Sequence, residues 1–565
     1  MNTKLSVTSY WLLVRGNRYL VFGIRSLVTN YLLPTTNYLL PTTNYRIPFL
    51  LLILLTTVGA AAQVTQPARY EKEQKNSYRD FTVISMGEEG IALIRDKQKY
   101  EHGDNLWEVI LLDSALNESW TKDLAVENRY HLIGHDYRDK NLYFLFRMGE
   151  TDQGKLKIIK INGANYQTEE HNYEPELVVR PTHFNIMENQ VIFAGYVNNE
   201  TTVLLFNLDT NQAKLVPGLF LPNSELLDVR VNVNNTFNVL MGERQSKTKK
   251  KLVAKTFDKS GAMLLDDIIE VDTEKTILSG FTSTLVRDEL MIIGTWGEGV
   301  MKQAAGIFTV LVDPYSEQKI NYYDFAQLTH FLDYLSPKRA AKTKEKSERR
   351  RVQGKIPEYK AYVLPARLEE TKEGFLFYAE VYYSSTSLNN NRWGPSYPYS
   401  NYPYSSPYGF GYPSRYYSPY NYGYPYNNYG SSNTHETKML HASLSLFDAK
   451  GNLVTDHGFK LEEIKIPSAE QVSDFIYTPT KSTLIFNKEK ELHMQVSQTD
   501  GVSLINEKLP IQLKLPTETV RSEDGDTAEV RFWYKNFLYL FGYQTIKNPE
   551  KSNRDVFYIN KLKVE

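Results

Sequence analysis

The chain contains no cysteine. That one absence excludes disulfide staples, thiolate metal sites, a cysteine nucleophile and a lipid-modified N-terminal Cys. It also has no surplus of charge of either sign: Lys+Arg 65 face Asp+Glu 66 over 565 residues. No overall field would therefore gather nucleic acid or an anionic surface. The metalloprotease pattern His-Glu-x-x-His and the nucleophile elbow Gly-x-Ser-x-Gly are missing too. Such a chain must be held together by its core. A hydrophobic fraction of 41% with 41 Tyr points to pleated sheet, where large flat side chains pack well.

The local patterns that remain are weak. His131 and His135 have a metal-binding spacing only if they lie on a helix, and the surrounding run reads as strand and turn. Ser522–Asp526 resembles part of a calcium loop without its remaining ligands, and is taken as a polar turn. Gly294-Thr-Trp-Gly-Glu-Gly299 has the wrong glycine order for a dinucleotide site and is expected at a hairpin tip. Asn117, Asn199 and Asn234 begin glycosylation triplets, relevant only in a eukaryotic secretory route. No catalytic, cofactor or metal residue is assigned, and the balance leans away from an enzyme. Carboxylate pairs set by three-dimensional spacing stay open.

What is present is a repeat. Short apolar runs recur at Gly90–Ile94, Leu142–Phe146, Val191–Gly195, Phe237–Met241, Leu290–Gly294, Phe375–Ala379, Thr483–Phe486 and Phe537–Phe541. From Leu93 through Leu145, Phe193, Val239 and Ile292 the steps are 52, 48, 46 and 53 residues. Partner strands end in an Asx turn at Asp113, Asn162, Asp209, Asp258, Asp313 and Asp448, where the side chain can accept a backbone amide two residues on. One small sheet cannot bury both its flanks, so the period predicts stacked sheets. The fold expected is an all-β β-propeller of seven or eight blades, with the apolar runs as inner strands. The last unit lacks an outer strand, and a segment near Tyr70–Tyr78 is expected to supply it.

Ahead of the repeat, Arg46 flanks the apolar run Ile47–Ala62, which ends in Ala60-Ala61-Ala62 and reads as a signal peptide cleaved after Ala62. Residues 1–46 read as a non-native or long leader, because Asn30–Thr36 recurs unchanged as Asn37–Thr43. Residues 63–323 then hold the first blades, 324–360 a helical and basic insertion, and 361–565 the remaining blades.

Two insertions break the period. In the first, Phe325, Leu328, Leu332 and Leu335 have helical spacing, and Lys338–Arg351 carries eight Lys or Arg, a candidate for peripheral contact with acidic lipid or another polyanion. The second is a Tyr/Pro/Gly-rich loop over 384–436, too poor in aliphatic residues to build a core and expected to be disordered. Its tyrosines are the candidate binding residues: Tyr397, Tyr399, Tyr402, Tyr404, Tyr408, Tyr412, Tyr416, Tyr417, Tyr420, Tyr422, Tyr424, Tyr426 and Tyr429. A phenol offers a flat apolar face and one polar tip to a protein or glycan.

The signal ending Ala-Ala-Ala-Gln and the Phe-Asp-x-x-Gly turns at Phe257 and Phe447 resemble those of uncharacterised exported propeller-like proteins of Bacteroidota-type bacteria. The resemblance implies a periplasmic or cell-envelope location and carries no assigned activity. The expected function is non-enzymatic binding or scaffolding in the bacterial envelope, with an envelope protein or glycan as partner, no nucleic acid and no cofactor. The rivals are a glycan-acting hydrolase or lyase on the same scaffold and a self-associating structural surface protein.

Overall fold

The computed structural model describes residues 64–565, apart from 386–435 and short stretches at 76–77, 79, 150–154, 175–178, 199, 222, 245–249, 299–302, 360–361, 467–468, 499–503, 524–527 and 550–551. The leader and signal readings therefore lie outside the described residues, as do the candidate tyrosines.

Eight antiparallel sheets follow one another along the chain, and all but the eighth are built from consecutive strands. The apolar runs are the second strand of each sheet, not the innermost as expected. A more polar strand precedes each of them: Thr82–Ser85, Tyr130–Arg138, Arg180–Met187, Ser224–Val231, the pair Lys275–Ile277 and Phe281–Thr282, Tyr362–Glu370, Ser473–Tyr477, and the pair Thr519–Glu523 and Glu529–Tyr534. In the eighth blade this strand is in two pieces, both paired to Phe537–Lys547. Packing of Tyr130–Arg138 on Arg180–Met187, of that strand on Ser224–Val231, and of Ser473–Tyr477 on Glu529–Tyr534 identifies these as the layer around the axis. The second strands look like inner ones in sequence because they are buried on both faces, with sheet on either side.

Eight apolar clusters match the eight blade-to-blade interfaces, and alternation along each second strand assigns its residues to one neighbour or the other. Phe144 and Phe146 pack toward blade 1, whereas Tyr143 and Leu145 pack toward blade 3. Full burial of such side chains contributes about 1.5–3 kcal/mol each, so every blade depends on both neighbours. The eighth interface joins Phe557 and Ile559 to Ile91 and Leu93, which closes the ring.

Closure uses the N-terminal strand. Val64–Glu73 pairs with Arg554–Val564 as the outer strand of blade 8, a few residues ahead of the segment expected for this role. Arg69 donates to Asn560 at 2.8 Å and to Gln544 at 3.0 Å, and Arg554 meets Glu71 at 2.6 Å and Glu518 at 2.9 Å.

Local chemistry explains the turns and kinks. Asp113 accepts the Ala115 and Asn117 amides at 2.8 Å each, Asp258 those of Ser260 and Ala262, and Asp448 those of Lys450 and Asn452. In blade 3 the turn opens at Asn207, which takes the Asp209 and Thr210 amides, rather than at Asp209. Register shifts in the innermost strands make Ile133, Thr182, Leu227, Ala366 and Trp533 extra residues. These bulges bend the strand and add a side chain to the interface. Glycine is required at the facing position of two second strands: a Cβ on Gly195 would lie 2.0 Å from the Arg180 carbonyl oxygen, and one on Gly294 2.0 Å from that of Ser279. Gly294-Thr-Trp-Gly-Glu298 accordingly lies within a strand, not at a hairpin tip.

Candidate functional site: the insertion-bearing face and the polar inner layer

In an up-and-down sheet the turns alternate between two faces of the ring. The connections from first to second strand and from third to fourth leave one face. Those from second to third strand and from blade to blade leave the other. The helical insertion joins blade 5 to blade 6, and residues 386–435 join the second and third strands of blade 6, so both issue from the same face beside the same blade. Ser385 pairs with Glu436, which places the two ends of that segment side by side. The tyrosine-bearing stretch is thus attached at one hairpin of an otherwise continuous sheet.

The first insertion contains one α-helix, α1 (Pro337–Val352), and it lies in the basic run rather than in the apolar half. Phe325–Leu335 forms successive tight turns, with Gln327 N donating to the Asp324 carbonyl, Asp333 N to that of His330 and Leu335 N to that of Leu332. Phe325, Leu328 and Leu332 are buried as their spacing implied, in the core between blades 5 and 6. Tertiary hydrogen bonds override the helical spacing. The Asp456 carboxylate takes the Thr329 and His330 amides at 2.8 and 2.7 Å, and Asp324 takes that of Ala326 at 2.7 Å. Pro337 suits the first turn of α1, where its missing N–H costs nothing. Arg349, Arg350 and Arg351 suit its last turn, facing the negative end of the helix dipole.

The seat beneath is aromatic and hydrogen-bonded. Phe325 stacks on Phe331 at 3.7 Å, and Tyr359 donates to Asp324 at 2.5 Å. Ser347, the buried residue of α1, donates to the same carboxylate at 3.1 Å. Fully buried His441 packs against Phe331 and Tyr334. Burial, with the nearby His330 adding to it, pushes its imidazole down to about 3, so it is neutral at physiological pH.

The innermost layer holds charges that the repeat pattern did not disclose. Glu380, on the second strand of blade 6, accepts the Val472 and Ser473 amides at 3.0 and 2.9 Å, the Ser473 hydroxyl at 2.5 Å and the Tyr378 hydroxyl at 3.0 Å. Arg367 pairs with Asp474 at 2.9 Å and with Glu369 at 3.2 Å, and its guanidinium lies 3.7 Å from the Phe475 ring centroid. Asp474 accepts the Phe532 amide at 2.8 Å, which joins blade 7 to blade 8. The same device recurs elsewhere. Asp136 accepts the Ile186 amide at 2.7 Å, Asp228 that of Thr282 at 2.8 Å, and Glu370 those of Thr284 and Arg287. These carboxyls act mainly as latches between successive blades. Burial raises Asp136 to about 6 and raises Glu380 above the usual carboxyl range.

Glu529 is a partly exposed acid of this layer. It pairs with Arg531 at 2.6 Å while keeping a third of its side chain exposed. Burial raises it, against the opposing pull of Arg531 and with added repulsion from Glu470. Its surroundings offer a carboxylate–guanidinium pair to a polar ligand.

His131 and His135 both lie on Tyr130–Arg138, but the bulge at Ile133 lies between them. His131 is opposite Arg147 and His135 opposite Phe144, so the rings leave opposite faces of the sheet. Among the described residues no group of three His, Asp or Glu is arranged to hold a metal. None of Arg367, Glu380, Asp474, Glu529 and Arg531 was singled out in sequence, because each is an isolated charge in a strand and only ring stacking brings them together. The other face carries a shallow depression of about 380 Å³ lined by Leu265, Asp288–Leu290 and Leu311–Tyr315. No helix among the described residues is long and apolar enough to cross a membrane.

No protein-family model and no curated protein matches the chain. Among solved structures it is similar to a prolyl endopeptidase (TM-score 0.36, 9% identity, over 84% of this chain and 54% of that one). It is also similar to polysaccharide lyase Uly1 (0.36, 8%, 86% and 100%) and to a eukaryotic initiation factor (0.38, 10%, 86% and 92%). The chain spans about half the length of the prolyl endopeptidase it matches. Likeness this distant assigns no activity, and the eight-bladed propeller rests on the chain's own pairing.

Proposed function

We propose that this protein is a non-enzymatic binding or scaffolding propeller of the bacterial cell envelope, contacting its partner through the face that carries the two insertions. The observation that carries the reading is their shared origin: a rigid ring directs both departures from the fifty-residue period to one side of blade 6. Function on such scaffolds resides in appended loops rather than in the repeated sheet. The inner carboxyls support it too, since most are engaged in blade-to-blade hydrogen bonds instead of converging on a cavity. Export fits the same picture, because the closing strand begins at Val64, beyond the expected cleavage after Ala62, and would survive removal of the leader.

Affinity capture from envelope extract, with the wild-type protein and with a variant lacking residues 394–430, tests the reading. The deletion should leave the melting temperature unchanged and abolish capture of the partner or glycan. Equal capture by both proteins would reject the tyrosine-rich segment as the contact. A glycan-acting enzyme is the second reading, favoured by Glu529 with its raised carboxyl beside Arg531. It requires polysaccharide cleavage that Glu529→Gln abolishes.

A further inference from the structure

Helix α1 exposes a cationic stripe, four of whose five members meet no acidic side chain among the described residues. At about 100° per residue, Lys338, Arg349, Lys342, Lys346 and Arg339 fall within roughly one quarter to one third of the helix circumference. Ser347, only 5% exposed, lies on the opposite side, where the helix packs on the ring. The other cations of the run are occupied: Lys344 donates to the Thr329 carbonyl at 3.1 Å, Arg350 pairs with Glu358 at 3.1 Å, and Arg351 pairs with Glu348. On the stripe Arg349 alone has an acidic partner, Glu345 at 2.8 Å. Lys338, Arg339, Lys342 and Lys346 are exposed and meet no acidic side chain among the described residues. Val352, 78% exposed, adds an apolar residue at the end of the same face.

We propose that this stripe docks the propeller onto an anionic lipid surface. A convex helix held at the edge of a rigid ring touches a plane along its length, about 16 Å from Lys338 to Arg349 at 1.5 Å per residue, so all five cations reach headgroup phosphates together. A duplex nucleic acid would be met by only one short row of charges. The chain as a whole has a net charge of only −1, so attraction to a surface is local to this face and orients the ring. The inference does not depend on the tyrosine-rich segment. The 394–430 deletion should bind vesicles as the wild type does, even if it loses its partner.

The test is flotation of the full protein with phosphatidylcholine vesicles, with and without about 30% phosphatidylglycerol, near 0.05 and 0.15 M salt. The wild type should bind the anionic vesicles, ignore the neutral ones and weaken as salt rises. Each cation near such a surface is worth about fivefold in affinity, so Lys338→Gln/Arg339→Gln/Lys342→Gln/Lys346→Gln should lose at least a hundredfold. Glu345→Gln, which removes the acid paired with Arg349, should tighten binding a few-fold and serves as a second readout should the quadruple variant fold poorly. Binding indifferent to lipid charge, unchanged binding of the quadruple variant, or retention on duplex DNA with no vesicle binding would each overturn the proposal.

Discussion

Blades 6 and 8 are built from the same four-stranded plan, yet they depend on opposite things. Blade 8 is assembled from the two ends of the described chain. Val64–Glu73 pairs with Arg554–Val564, and the polar clamp at its rim joins Arg69 to Asn560 and Glu71 to Arg554. Blade 6 is continuous in sequence, has the longest strands in Glu436–Phe447 and Leu453–Ile466, and carries both insertions. Its bond to blade 7 is a dense, buried polar junction through Glu380, Tyr378, Ser473, Arg367 and Asp474. A ring needs one joint where distant segments meet, and here that joint carries neither insertion. A blade whose strands are long and whose neighbour is bound by buried hydrogen bonds can accept a large insertion at a hairpin tip, since the added loop-closure entropy grows only slowly with length.

Removing residues 63–73 breaks the comparison at its weakest point and should have the largest effect. Val64 and Tyr70 contribute to the interfaces on the two flanks of blade 8, so the deletion opens both and exposes an unpaired edge. Cooperative unfolding should be lost or the melting temperature should fall by several degrees (each kcal/mol is worth about 1 °C in a ring of this size, at about 2.1 cal/mol/K of unfolding entropy per residue). An unaltered calorimetric transition would mean that the ring does not rely on this strand.

Glu380→Ala comes next. It strands the Val472 and Ser473 amides in the interior, while the Tyr378 hydroxyl keeps Ser473 as its partner, a loss on the order of 2–5 kcal/mol. Urea denaturation should register it, with Glu380→Gln substantially milder because an amide oxygen still accepts. A change under about 0.5 kcal/mol would mean that blade 6 does not depend on this junction.

The smallest effect is a pH dependence. The folded-state value of His441, about 3, lies below the ordinary value for an unfolded chain, 6.5. The unfolded chain therefore binds the extra proton between those limits. Stability from this residue is complete above about pH 6.5 and declines toward pH 3, by roughly 2 kcal/mol at pH 5. His135 and His183, both lowered to about 4 by burial, act in the same direction, while Asp136, raised to about 6, opposes them between about pH 4 and 6. His441→Phe keeps a ring against Phe331 and should flatten the slope of melting temperature against pH. An equal slope would place the proton uptake elsewhere.

How far the architecture was readable follows from which interactions are local. Phe237–Met241 and Leu290–Gly294 announce strands because burial on both faces leaves no polar alternation. Asp113, Asp258 and Asp448 announce turns because each carboxylate bonds amides two and four residues on. The misreadings arose where partners are distant. Phe325–Leu335 has helical spacing, but Asp456, more than a hundred residues later, takes the amides a helix would use. The true inner strands escaped notice because their bulges break alternation, and their charges are explained only by the next blade.

From its sequence alone this protein was bound to form repeated small sheets, since the apolar period and the Asx turns act within a few residues of one another. Stacking in three dimensions decided the number of blades, the identity of the axial strands, the N-terminal strand that closes the ring and the shared face of the two insertions. It also decided which cations of Lys338–Arg351 find an acidic partner among the described residues. The reason is the same in each case: these features are contacts between groups tens to hundreds of residues apart, and no local pattern records which partner a charge or a strand edge will meet.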